Sequence, residues 1–261
     1  MIKNLMKYDI KKMLRIVIYI DACAILLAAL TRLVGIWDNI QLIYIIKQFF
    51  QGFAYSAIAS VLINTFIHIL AVFITNFYKD ESYLTHTLPV TKSQLLISKY
   101  LSALISVVSS VAVCFVSLFI MLYSKGFVEG FKMFIKTAVS DFNVPVGFFI
   151  FMLVYIVFAQ LSSIMSMTFS AVIKANCYNS GRKIKGLLWF FAYYSLTALA
   201  VFAICAIVFL VRGNIGELLA EKMSQSAFMS VIIIGAVMYT ASAVFFYFFS
   251  DRMFKKGVNV D

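Results

Sequence analysis

The chain has 261 residues, 63% of them hydrophobic and only 13% charged, with a mean hydropathy of +0.98. That leaves too little polar surface to cover a soluble domain, so the composition excludes the soluble globular classes and points to an integral membrane protein. The net charge of +11 reads as a signal of membrane topology and not as a nucleic-acid footprint, and no nucleic-acid partner is expected.

Residues 1–15 open the chain with Ile2, Leu5, Met6, Ile10, Met13 and Leu14 on one side of a helix and Lys7, Lys11, Lys12 and Arg15 on the other. This pattern predicts an amphipathic helix lying in the membrane interface, with a merely basic, topology-setting tail as the alternative. Asp9 falls inside the apolar sector and breaks the pattern. The segment does not read as a cleaved leader, because a full-length span follows it with no small-residue cleavage site.

About 20 apolar residues are needed to cross a hydrocarbon core about 30 Å thick. Six runs meet that length, at about 16–36, 53–76, 100–123, 146–173, 187–211 and 227–250. They do not alternate apolar and polar residues as barrel strands would. The expected fold is an all-α integral membrane protein of six transmembrane helices, forming a single membrane domain over 1–261.

Orientation follows from the cations. With the N-terminus inside, the cytoplasmic segments hold Lys3, Lys7, Lys11, Lys12 and Arg15; Lys79, Lys92 and Lys99; Lys174, Arg182, Lys183 and Lys185; and Arg252, Lys255 and Lys256. Only Arg32, Lys47, Lys125, Lys132, Lys136, Arg212 and Lys222 are left for the outer side. The bias places both termini in the cytoplasm, and the expected location is the cell (plasma) membrane.

The outer segments, about 37–52, 124–145 and 212–226, read as short loops, with Pro145 suited to the first turn of the fourth span. Within 212–226, Ile215, Leu218, Leu219 and Met223 share a face opposite Glu217 and Glu221. That segment is an interfacial helix, a re-entrant turn or an ordinary surface loop. The basic 174–186 loop reads as a topology anchor near anionic headgroups. Cys23, Cys114 and Cys205 lie in predicted spans and Cys177 in a cytoplasmic loop, so no disulfide is expected.

No catalytic or metal-binding set appears. The phosphate loop GxxxxGK[ST], HExxH and GxSxG are all absent, and the only histidines, His68 and His86, fall in a span and a loop. The chain is therefore expected to be no enzyme by itself, with no metal or cofactor of its own. Polar residues within spans are costly and mark helix contacts or a path. Asn64 and His68, at i and i+4, and Gln160 with Ser163 are candidates for lining a substrate path; interhelical hydrogen bonding is the alternative for the first pair. Ser102, Ser106, Ser109 and Ser110 read as a close-packing stripe. Asp21 is expected to pair with a nearby cation or reach toward headgroups.

Residues 76–100 are longer and more structured than a connection requires. Lys79-Asp80-Glu81 marks the water boundary after the second span, and Ser82–Leu88 predicts a short helix with Tyr83, Leu84 and Leu88 as anchors. Pro89 ends it. Thr91-Lys-Ser-Gln94 then fits a capping box, opening a helix that runs through Lys99 into the third span.

The combination of Asp80, Glu81, Tyr83, Leu84, Leu88, Pro89, Val90, Ser93 and Lys99 resembles the permease subunits of ABC-2-type transporters, bacterial exporters whose layout is similar over the whole chain. Ser82 stands where that family often has glycine. The resemblance implies that 78–98 is a cytoplasmic coupling loop. Its docking surface on an ATP-binding subunit would be Asp80, Glu81, Tyr83, Leu84, Thr85, His86, Leu88 and Pro89. It further implies two copies of a separate ATPase that binds ATP and Mg, and a second permease chain forming a homodimer or heterodimer. The segment before the sixth span would match the family's re-entrant outer helices. The implied function is ATP-driven export. A self-contained secondary transporter or channel, or a membrane scaffold or sensor subunit, are the other classes considered.

Overall fold

The computed structural model describes residues 2–37, 41–79, 82–87, 89–142, 145–178, 184–211 and 225–256. Every regular element among them is helical: α1 (Ile2–Val34, followed by a 3₁₀ turn Gly35–Trp37), α2 (Gln41–Tyr78), α3 (Ser82–His86), α4 (Lys92–Leu122), α5 (Lys125–Phe142), α6 (Val146–Tyr178), α7 (Ile184–Val211) and α8 (Gln225–Lys256). Among the described residues six helices, α1, α2, α4, α6, α7 and α8, are long and apolar enough to cross a membrane. The physical cause is the one read from composition: with so few polar side chains, backbone groups in lipid are satisfied only within helices.

Three boundaries differ from the sequence expectation. Residues 1–15 are not set off as a separate interfacial helix but continue into the first span as one helix of 33 residues, about 50 Å long at 1.5 Å per residue. No glycine or proline interrupts residues 2–34, so nothing forces a break between them. The expected outer loop 37–52 is largely helical as well, since α2 begins at Gln41; only Gly52 weakens that run, a cost of about 1 kcal/mol that a helix of this length absorbs. The expected loop 124–145 is mostly α5, 18 residues long. Residues 212–224, which hold most of the expected re-entrant or interfacial segment, lie outside the described residues, as do residues 179–183 of the basic loop.

The chain divides into two compact units, Met1–Gly130 and Phe131–Asp261. In the first, α1, α2 and α4 pack against one another and α3 against α2. Small residues set the close approach: Ala24 of α1 packs with Ile58 and Val61 of α2 and Cys114 of α4, and Ala28 packs with Ala54 and Met121. In the second unit α6 packs against α7 and α8. Its core joins Met167 and Ala171 to Tyr193 and Phe246. On both units large apolar side chains such as Tyr19, Leu26, Phe119, Phe151, Leu199 and Phe248 point outward, as expected of helices bathed in hydrocarbon.

Candidate functional site

The elbow between α2 and α4 begins where α2 ends at Tyr78. The Ser82 amide donates to the Lys79 carbonyl at 2.7 Å, closing the turn that starts α3. The Ser82 side is buried, whereas Tyr83 is 75% exposed. The Thr87 amide donates to the Tyr83 carbonyl at 3.1 Å and ends the short helix, and Pro89 follows, exposed. Proline disfavours helix in the residue before it, which separates α3 from α4.

The predicted capping box is present: the Gln94 amide donates to Thr91 Oγ1 at 3.3 Å, and the Thr91 amide donates to Gln94 Oε1 at 3.1 Å. It satisfies two of the amides that a helix start leaves without intrahelical acceptors. Of the docking residues expected from sequence, the structure places Tyr83 and Thr85 on α3 and Pro89 at the break. Asp80, Glu81 and Leu88 lie outside the described residues, as do the side chains of Leu84 and His86.

Both roots of this elbow are fastened to α1. Just before it, buried Asn76 of α2 accepts from Lys12 Nζ at 2.9 Å. Just after it, Lys99 of α4 forms an ion pair with Asp9 of α1, and Ser98 Oγ donates to the same carboxylate at 2.9 Å. Asp9 is 0% and Lys99 3% exposed. One turn on, Ser102 Oγ donates to the Met6 carbonyl at 3.4 Å. An ion pair shielded from water is poorly screened, and removing one partner strands a buried charge. Residues 76 and 99 are thus each bonded to the same stretch of a third helix.

Sequence reading missed this clamp, although its signal was visible. Asp9 interrupted an otherwise consistent apolar sector, and a carboxylate among apolar residues calls for a cation. In the sequence Lys99 reads as a topology charge, as part of the capped helix leading into the third span and as part of the family resemblance.

The seam continues inward along the serines of α4. Ser98, Ser102, Ser106, Ser110 and Ser117 are all fully buried, as the close-packing expectation requires, and the stripe extends further in both directions than the residues singled out from sequence. At its middle, Ser110 Oγ lies 3.0 Å from Thr65 Oγ1 and 3.5 Å from Asp21 Oδ2. Thr65 donates its own proton to the Val61 carbonyl at 2.7 Å. Ser110 therefore has one proton for two acceptors. Asp21 Oδ1 is buried with no hydrogen-bond partner. The expectation that Asp21 pairs with a cation or reaches headgroups is corrected: it is 7% exposed and faces the Ser110 hydroxyl.

Of the path candidates, Asn64 Nδ2 donates to the Ser60 carbonyl of its own helix at 2.9 Å, not across helices. His68 Nε2 is buried without a partner. In the second unit Ser163 Oγ bonds Ser242 Oγ at 2.6 Å, joining α6 to α8, and Gln160 is half-buried one turn before it. Lys174, read as part of a basic loop, belongs to the end of α6, and its ammonium lies 3.3 Å from the centre of the Trp189 ring of α7. Among the described residues no group of three or more His, Cys, Asp or Glu is placed to hold a metal ion.

Comparison with protein-family models, with curated proteins and with solved structures found no match to this chain.

Proposed function

We propose that this chain is the membrane-spanning permease subunit of an ATP-driven exporter of the ABC-2 type, acting in the plasma membrane of a bacterium with both termini in the cytoplasm. It performs no catalysis itself. A separate ATP-binding subunit, present in two copies, binds ATP and Mg and docks on residues 80–89. A second permease chain completes the pathway.

The observation that carries this reading is the clamped elbow. A docking helix transmits force only if its roots do not yield, and here the chain on either side of α3 is bonded to α1, through Lys12–Asn76 and through Asp9–Lys99. A push on α3 is then passed to three long helices together. The exposed Tyr83 ring supplies an amphipathic contact of the kind enriched at protein interfaces.

The test is affinity purification of the intact chain from its native membrane. The expected result is co-purification of an ATP-binding-cassette subunit whose ATP hydrolysis rises when the two are joined in nanodiscs. Tyr83→Asp and Leu84→Pro should lose that subunit while the chain still inserts and unfolds at its usual temperature. Substrate flux through the purified chain alone would sink the proposal in favour of a self-contained carrier. A bound partner with no ATPase fold would favour a scaffold.

A further inference from the structure

The helix α5, Lys125–Phe142, plays no part in the elbow and was expected to be a loop. At 3.6 residues per turn its positions sort into two sectors, with Asp141 at the edge of the apolar one. Phe127, Val128, Phe131, Phe134 and Ile135 occupy one sector; Glu129, Lys132, Lys136 and Ser140 occupy the opposite one. Met133 is the one large apolar residue on the polar side. Phe134 is 63% exposed, and among the described residues no other helix packs extensively along α5. The helix is too polar to be a span, with three charged side chains in its middle.

Its tethers decide what the apolar sector meets. Only residues 123–124 separate α5 from α4, and only 143–145 separate it from α6, which at full extension reach about 11 and 14 Å. The helix itself is about 27 Å long and about 10–12 Å across. If α4 and α6 cross the membrane and α5 does not, both tethers start on the same membrane face. Links this short cannot let a helix of this length stand upright or drift away from that face.

We propose that α5 lies flat in the lipid interface. The Phe127, Val128, Phe131, Phe134 and Ile135 sector sinks into the boundary between headgroups and acyl chains, and Lys132 and Lys136 reach the phosphate groups of phospholipids. The pattern is that of interfacial amphipathic helices, whose apolar area and lysines together set binding. It rests on α4 and α6 being spans and is independent of the transport reading.

The test uses the full chain in nanodiscs of mixed phosphatidylcholine and phosphatidylglycerol, with its native cysteines replaced and nitroxide labels at Val128→Cys, Lys132→Cys, Phe134→Cys and Lys136→Cys. The expected result is a several-fold higher ratio of oxygen to water-soluble nickel-chelate accessibility at positions 128 and 134 than at 132 and 136. Four labels all open to the nickel chelate would overturn the proposal, because the helix would stand in water. Positions 128 and 134 closed to both relaxers would overturn it too, because protein, such as a second copy of the chain, would cover the sector. Should the cysteine-free chain fail to fold, quenching of a tryptophan by lipids brominated in the acyl chain serves in the native cysteine background. Phe134→Trp should be quenched several-fold more than Lys132→Trp, and equal quenching overturns the proposal.

Discussion

In the first unit the contact between α1 and α4 buries a carboxylate, an ammonium and a row of serines. In the second, α6 meets α7 and α8 through an aromatic cluster and two hydroxyl pairs. The Tyr193 ring lies 4.8 Å from that of Phe246 and edge-on to Phe249. Tyr155 and Thr240 bond at 2.9 Å, and Ser163 and Ser242 at 2.6 Å. Lipid offers apolar side chains nearly as good an environment as another helix does, so packing alone specifies register weakly in a membrane. A buried ion pair has one acceptable partner, and that partner fixes how α1 and α4 align. The first unit spends this specificity where the elbow is rooted; the second relies on shape and small polar pairs.

The contrast is broken most directly at Asp9. Asp9→Ala removes the carboxylate that faces the buried Lys99 ammonium, and stability should fall by about 3–5 kcal/mol, measured as thermal unfolding of the full chain in nanodiscs. The double variant Asp9→Leu/Lys99→Met removes both charges and should recover most of the loss. A single variant as stable as the parent would show that the pair specifies nothing, and a double variant no better than the single would place the cost in packing.

A smaller effect is expected at Lys174→Gln, which takes the cation off the Trp189 face. The loss should be about 1 kcal/mol for a partly exposed cation–π contact. With Trp37→Phe, Trp189 becomes the only tryptophan, and its emission should shift when the ammonium is removed; unchanged emission would count against the contact. The smallest effect belongs to Ser163→Ala. Ser242 keeps its bond to the Tyr239 carbonyl at 2.8 Å, and interhelical bonds of this type average about 0.6 kcal/mol. A loss at Ser163 comparable with that of Asp9→Ala would erase the distinction drawn between the two units.

Much of the helical plan was legible without coordinates. The six long apolar helices, the separation of α3 from α4 at Pro89 and the Thr91–Gln94 cap each follow from local rules: length of apolar run, the steric demand of proline, and a hydroxyl and an amide three residues apart. Amphipathic structure is legible too, but the structure divides it differently from the sequence expectation. Residues 1–15 were expected to lie apart in the interface, yet they extend the first span and bury Asp9 and Met13. Most of 124–145, where the sequence reads as a loop, is the amphipathic helix α5. The difference has a physical source. Periodicity shows that a face avoids water, and both lipid and a neighbouring helix satisfy that demand equally.

By itself, then, the sequence determined which helices are long and apolar enough to span and where the elbow turns, because those outcomes depend on residues within a few positions of one another. Only the tertiary structure decided what the buried polar groups do. Asp9 meets a lysine 90 positions away, Asp21 faces Ser110 of α4 where a cation or lipid headgroups were expected, and Asn64 turns back on its own helix. An isolated carboxylate in an apolar segment announces that it needs a partner, but its energy depends on which helix comes alongside, and that is settled by packing over the whole unit.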